Sequence, residues 1–127
     1  MQDPTEIKKV KDNFKKIIYV DIDSTICECP GDYHADVDYK EYKTPDYKKC
    51  IPYPERIKKI NRLYDDGNYI LYWTARGTVT GVDWTDLTVR QLRQWGCKYH
   101  KVVLKKPCYD LFIDDKNIHS EEYFKDC

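Results

Sequence analysis

Four short apolar runs along the chain have the pattern of buried β-strands. They are Ile17 to Val20, Tyr69 to Trp73, Val102 to Leu104 and Leu111 to Ile113. Continuous runs of β-branched and aromatic residues are typical of strands that are buried on both faces, as in a parallel sheet covered by helices. The pattern therefore predicts a parallel sheet built from these four segments.

Amphipathic helices are predicted between the strands. The segment from Pro54 to Asp65 places Ile57, Ile60, Leu63 and Tyr64 on one helical face, and a second helix is predicted from Asp83 to Trp95. Shorter helices are predicted near the two ends, around residues 7–14 and 117–124. Strands that alternate with helices predict an α/β fold, a doubly wound parallel sheet with helices on both faces. The length, 127 residues, suits a single domain.

Each predicted strand ends in polar residues, and the carboxyl ends of parallel strands meet at the edge of the sheet where ligands bind. These residues are Asp21, Asp23, Ser24 and Thr25 after the first strand, Thr74, Ala75 and Arg76 after the second, Lys105 and Lys106 after the third, and Asp114 and Asp115 after the fourth. Two carboxylates about 4 Å apart repel each other by about 4 kcal/mol at an effective dielectric of about 20. Asp21 and Asp23 therefore require a cation or a shared proton.

These residues resemble the four motifs of the haloacid dehalogenase superfamily. The segment from Asp21 to Thr25 is similar to the DxDxT motif, and Thr74 is similar to the Thr or Ser of the second motif. Lys106, or alternatively Lys105, is similar to the third-motif lysine, and Asp114 with Asp115 is similar to the paired acids of the fourth. Ser24 departs from the glycine that most phosphatases of the superfamily carry.

The resemblance implies a Mg²⁺-dependent phosphatase that acts through an aspartyl-phosphate. Asp21 would be the nucleophile and Asp23 the general acid and base. Mg²⁺ would be held by Asp21, the backbone carbonyl of Asp23, and Asp114 or Asp115. Lys106 would stabilise the transferred charge, and the phosphoryl oxygens would be bound by side chains and backbone around Ser24, Thr25, Thr74, Ala75 and Arg76.

The Tyr-rich segment from Cys27 to Tyr53 leaves the first strand beside the proposed nucleophile. It is expected to be a loop that recognises substrate in a protein without a large cap, as in the phosphatase domains of polynucleotide kinase-phosphatases and their small stand-alone relatives. The substrate is expected to be a sugar phosphate, a nucleotide or the 3′-phosphate end of a nucleic acid. Two alternatives stay open: a phosphotransferase or mutase of the same superfamily, and a noncatalytic module that binds phosphate.

Composition gives few further restrictions. Lys and Arg total 22, as do Asp and Glu, so net charge requires neither a nucleic acid nor a membrane as partner. With no long apolar run, a cytoplasmic protein is expected, without membrane association, and a homo-oligomer is left open. The six cysteines fit neither CxxC pairs nor a small disulfide framework, so free thiols are expected. A zinc site formed by Cys27, Cys29 and Cys50 is the alternative.

Overall fold

The sheet at the centre of the fold is parallel and has three strands. The computed structural model describes residues 2–30 and 45–127. Its elements in chain order are α1 (Pro4–Asn13), β1 (Ile17–Asp21), β2 (Cys27–Glu28), a 3₁₀ turn (Tyr47–Lys49), β3 (Ile51–Pro52), α2 (Pro54–Asp65), β4 (Tyr69–Trp73), α3 (Thr85–Gln94), β5 (Lys101–Val103) and α4 (Ser120–Tyr123). The strand order in the sheet is β1-β4-β5.

The register of the sheet aligns the carboxyl ends of its strands. Asp21 lies level with Trp73, and Trp73 lies level with Val103. The polar residues that follow the three strands therefore leave the sheet at the same edge.

Side chains of β4 pack on both faces of the sheet because successive residues point to opposite sides. Ile70 and Tyr72 belong to the larger apolar cluster, which also includes Ile57 and Ile60 of α2 and Leu92 of α3. Tyr69 and Leu71 pack in a smaller cluster with Val10 of α1. The sheet is thus flanked by helices, and the predicted helices α1, α2 and α3 are confirmed to within about three residues at their ends.

The predicted fourth strand is wrong. Leu111, Phe112 and Ile113 form no regular secondary structure and are exposed, with Ile113 at 88%. Three apolar residues become a strand only if another strand satisfies their backbone groups, and none of the described strands pairs with them. An apolar run of this length therefore does not define a strand by itself.

The segment from Cys27 to Tyr53 was expected to be a loop, but its two described ends form a pair of short strands. Cys27–Glu28 pairs antiparallel with Ile51–Pro52, and a disulfide joins Cys29 to Cys50. The expectation of six free thiols is therefore wrong for these two cysteines, whose partners are brought together by the β2–β3 pairing rather than by sequence spacing. Residues 31–44, which include Tyr33, Tyr39 and Tyr42 of the proposed recognition loop, lie outside the described residues.

None of the helices in the described ranges is both long enough and apolar enough to cross a lipid bilayer.

Candidate active site

The chain turns sharply after β1 and thereby exposes two carboxylates to one pocket. Ser24 adopts a left-handed backbone conformation, with φ of 63°, and its N–H donates to the Cys27 carbonyl at 2.8 Å. Ile22 and Ile26, on either side of the turn, are fully buried. Burial of these two isoleucines fixes the turn, so that Asp21 and Asp23 both line a pocket of about 330 Å³.

The pocket lies at the carboxyl edge of the sheet and collects most of the predicted site residues. Its lining comprises Asp21, Asp23, Ser24, Pro45, Tyr47, Thr74, Ala75, Arg76, Lys106, Pro107, Cys108 and Tyr109. Thr25 is adjacent, since its hydroxyl donates to Asp21 Oδ2 at 2.9 Å. A larger hollow of about 570 Å³ lies along α3, but no residue from the ends of β1 or β4 lines it. The smaller pocket is therefore the candidate active site.

Lys106 is the lysine that reaches the carboxylates. Its N–H donates to the Thr74 carbonyl at 3.0 Å, and its Nζ lies 3.4 Å from Asp21 Oδ1. Lys105 has a φ of 69° and is exposed. The left-handed conformation of Lys105 redirects the chain after β5, which brings Lys106 rather than Lys105 into the pocket.

Asp21 and Lys106 shift each other's ionisation. Burial raises the pKa of the Asp21 carboxyl above its ordinary range, and Lys106 and the Thr25 hydroxyl offset part of that rise. Burial by itself would lower the pKa of Lys106, but the Asp21 carboxylate and Tyr109 together raise it. A partly buried carboxylate beside a lysine is the kind of group expected of a nucleophile or a binding residue.

Arg76 lies in the wall of the pocket, but its guanidinium is already bound by protein groups. Its Nη2 lies 2.8 Å from Asp23 Oδ1 and its Nε lies 3.0 Å from Asp23 Oδ2. Its Nη1 donates to Thr88 Oγ1 at 3.1 Å and to Gln91 Oε1 at 2.6 Å. Arg76 is only 2% exposed, and its guanidinium compensates the charge of Asp23. Its expected role in binding phosphate stays a prediction.

Asp114 and Asp115 are not brought to the pocket. Both are exposed, and neither is among the residues that line it. Asp115 Oδ2 instead lies 3.6 Å from Lys116 Nζ at the surface. These two residues were expected at the edge of the sheet because they follow Leu111 to Ile113. Since that segment forms no strand, none of the described strands brings them to the edge.

The pocket supplies only part of the ligand set expected for Mg²⁺. Carboxylate oxygens suit this ion, and Asp21 carries one carboxylate that is free of arginine contacts. The ligand expected from Asp23 is its backbone carbonyl, and its carboxylate is engaged by Arg76. The acids at 114 and 115 are not among the residues that line the pocket. As described, the residues around the pocket therefore fit Mg²⁺ incompletely.

Sequence reasoning missed the groups that hold Arg76. Thr88 is fully buried and Gln91 is 5% exposed, and both side chains accept hydrogen bonds from the guanidinium. Two polar residues three positions apart on an otherwise buried helix face indicate a buried polar partner, and that signal was present in the sequence. Tyr109, which also lines the pocket, carried no comparable signal in the sequence.

Comparison with known proteins identifies a solved structure of similar fold. No protein-family model and no curated protein matches the chain. The chain is similar to the crystal structure of an MCSG target from Vibrio cholerae, with a TM-score of 0.67 and 20% sequence identity over 86% of this chain and 87% of that chain. At this identity the similarity shows a shared fold only.

Proposed function

We propose that the protein is a phosphomonoesterase that acts through an aspartyl-phosphate. The observation that carries the proposal is the pocket at the carboxyl edge of the sheet, where Asp21 and Asp23 meet Thr74 and Lys106. The four residues follow three different strands, so their convergence depends on the fold. The resemblance of the DxDxT segment to the haloacid dehalogenase superfamily supports the same reaction, and a doubly wound sheet of that superfamily is part of the proposal.

In the proposed reaction, Asp21 attacks the phosphorus of a phosphomonoester. The bond from phosphorus to the ester oxygen breaks as the bond from phosphorus to the Asp21 oxygen forms, and Asp23 gives the leaving oxygen a proton. Asp23 then removes a proton from water as the water oxygen attacks the phosphorus, and the bond from phosphorus to the Asp21 oxygen breaks, which releases inorganic phosphate and restores Asp21. Proton transfer by Asp23 would require its ion pair with the buried Arg76 to loosen.

Lys106 and Thr74 would assist this reaction. The ammonium group near Asp21 would offset the negative charge that accumulates as the carboxylate approaches the phosphoryl group. Mg²⁺ is expected to be held by Asp21, by Asp23 and by Asp114 or Asp115, and when bound it would supply further positive charge. The last two acids would need to approach the pocket for that ligand set to be complete.

The substrate is proposed to be a small phosphorylated molecule or a phosphorylated nucleic-acid end, in the cytoplasm. The pocket includes Tyr109, whose ring is 45% exposed and offers a flat face to a sugar or base. Tyr47 also lines the pocket, but its ring is buried against Arg76 and Trp84. A cytoplasmic location would favour the reduced form of Cys29 and Cys50.

The proposal is tested by the hydrolysis of an aryl phosphate. Asp21→Asn is expected to lower kcat by roughly 10⁴-fold or more, because the amide cannot form the acyl phosphate. Asp110→Asn, at an exposed aspartate outside the pocket, serves as the control and should retain activity. Borohydride reduction of the quenched wild-type reaction should convert Asp21 to homoserine, which mass spectrometry identifies.

The same assay separates the alternatives. Undiminished turnover by Asp21→Asn would overturn the proposed nucleophile, and undiminished turnover after chelation would remove Mg²⁺ from the proposal. Transfer of phosphate to an added alcohol in preference to water would indicate a phosphotransferase. Binding of phosphate esters by the wild-type protein without any turnover would indicate a noncatalytic module.

A further inference from the structure

Four potential metal ligands meet behind the candidate active site, and we name them the thiol cluster: Asp23, Cys27, Cys29 and Cys50. Their ligand atoms all lie within 4.8 Å of one another. Cys27 and Cys29 are buried, and Cys50 is partly buried against the same apolar cluster. Three cysteines and a carboxylate that converge in this way have the composition of a site for a thiophilic metal.

Three of the four ligand atoms, those of Asp23, Cys27 and Cys29, are close to the spacing of tetrahedral coordination. With bonds of about 2.3 Å to sulfur and about 2.0 Å to oxygen, the ligand atoms of a zinc site lie roughly 3.5–3.8 Å apart. Cys27 Sγ lies 3.9 Å from Cys29 Sγ and 3.6 Å from Asp23 Oδ1. Cys29 Sγ lies 3.1 Å from the same oxygen, so these three atoms need to move only a few tenths of an ångström.

The disulfide between Cys29 and Cys50 determines when the cluster can bind a metal. Its two sulfur atoms are bonded to each other and cannot both act as thiolate ligands. A dithiol reductant that supplies two electrons and two protons would convert the bond into two thiols and would itself become a disulfide. A divalent cation could then displace the protons of Cys27, Cys29 and Cys50, which are released to solvent.

The negative charge of the deprotonated ligands favours a bound cation, and Arg76 compensates part of the same charge. Three thiolates and one carboxylate carry four negative charges, of which a divalent metal compensates two. Arg76 Nη2 lies 3.7 Å from Cys50 Sγ and 2.8 Å from Asp23 Oδ1, so it compensates a third. Hydrogen bonds from a neighbouring group to a ligating carboxylate are usual at metal sites, where they orient the ligand.

We propose that the reduced protein binds one thiophilic divalent cation, of the zinc class, through Cys27, Cys29, Cys50 and Asp23. The oxidised protein, with its disulfide, does not bind it. This site is distinct from the proposed Mg²⁺ site because its ligands are mainly sulfur. It shares Asp23 with the candidate active site, so the bound cation would withdraw Asp23 from proton transfer and inhibit the proposed phosphatase.

Cobalt(II) is the probe for the site. The full chain is reduced, freed of reductant and titrated with Co²⁺ under anaerobic conditions. We expect thiolate-to-cobalt charge-transfer absorption that saturates at one Co²⁺ per chain, with visible bands of tetrahedral intensity that disappear on addition of Zn²⁺. The disulfide form should give no such absorption. Absence of the charge-transfer absorption from the reduced protein would overturn the proposal.

Variants and a labelling experiment locate the ligands. Cys27→Ser should abolish the charge-transfer absorption or greatly weaken it, whereas a control with Cys97, Cys108 and Cys127 all changed to serine should keep it. On the wild-type chain, Zn²⁺ should protect Cys27, Cys29 and Cys50 from alkylation, as read by mass spectrometry, and leave the other three cysteines reactive. Equal alkylation of all six cysteines with and without Zn²⁺ would overturn the proposal even if Cys27→Ser fails to fold.

Discussion

At the scale of single residues, the candidate site depends on two cations that act on two carboxylates in different ways. Lys106 approaches Asp21 from the open side of the pocket, at 3.4 Å. Arg76 binds Asp23 from the buried side through a guanidinium whose side chain has no exposed surface. Both members of the first pair line the pocket, whereas the second pair joins a carboxylate of the pocket to a guanidinium in the protein interior.

The Lys106 pair predicts a shift in pH dependence. Asp21 must be ionised to attack phosphorus, and Lys106 lowers a pKa that burial has raised. Lys106→Met removes the lowering effect, so the pKa of Asp21 rises further and the acid limb of the kcat/KM profile should move to higher pH. Lys105→Met, at the exposed neighbour, should leave the limb in place. An acid limb that stays fixed or moves to lower pH in Lys106→Met would contradict the assignment.

At the scale of elements, α3 is more than a cover for the sheet. It supplies the two side chains that hold Arg76, and Gln91 Nε2 also donates to the Tyr47 carbonyl, which belongs to the 3₁₀ turn. The helix therefore connects the ion pair at the end of β1 with the chain that enters β3.

Removal of Gln91 should destabilise the fold. Gln91→Ala deletes the acceptor of one buried guanidinium N–H and the donor to one buried carbonyl, and an unsatisfied buried polar group costs about 1–3 kcal/mol. We expect the free energy of unfolding to fall by at least that amount in urea denaturation. Gln94→Ala, at an exposed glutamine one turn along the same helix, is the control and should change it by less than about 0.5 kcal/mol. Equal effects of the two substitutions would contradict this role of Gln91.

His100 connects α2 to the sheet and predicts a second pH effect. Its ring stacks on Tyr64 and Tyr69, and its Nδ1 accepts a hydrogen bond from the Ile70 N–H at 3.1 Å. Burial lowers the pKa of His100. Because the folded state disfavours protonation, the contribution to stability is complete above the ordinary pKa of about 6.5 and is lost as pH falls through the lower folded value.

The measurement is the free energy of unfolding from pH 7.5 to pH 5. Stability should decrease toward pH 5 in the wild type, and His100→Phe should reduce that slope because no proton can be taken up at this position. Tyr64→Phe, which keeps both the histidine and the ring stacked on it, is the control and should keep the wild-type slope. A His100→Phe variant with the full wild-type slope would contradict the prediction.

At the scale of the whole molecule, the sequence was informative where burial determines structure. Ile70 and Tyr72 are fully buried, and the apolar run that contains them predicted β4 correctly. The run from Leu111 to Ile113 has similar composition, but a strand also requires a neighbour, and periodicity contains no information about pairing. The same limit applies to the candidate site. Residues that end or follow β1, β4 and β5 line the pocket, whereas Asp114 and Asp115, which follow the predicted strand that does not form, do not line it.

The pairing of β1 with β4 has a kinetic consequence. Ile17 lies level with Tyr69, 52 positions later, so a long loop must close before the central pair of the sheet can form. The Cys29–Cys50 bond lies inside that loop, and its ends are 21 positions apart in the sequence. A loop shortened from about 52 to about 32 residues costs about 0.4 kcal/mol less entropy to close.

If β1 and β4 are already paired in the folding transition state, the oxidised chain should refold roughly twofold faster than the reduced chain. The increase follows from the smaller entropy cost of closing the loop. Stopped-flow refolding with and without reductant measures this ratio, and Cys29→Ser provides a chain that cannot form the bond under either condition. Identical refolding rates for the oxidised and reduced wild type would place the closure of this loop after the rate-limiting step.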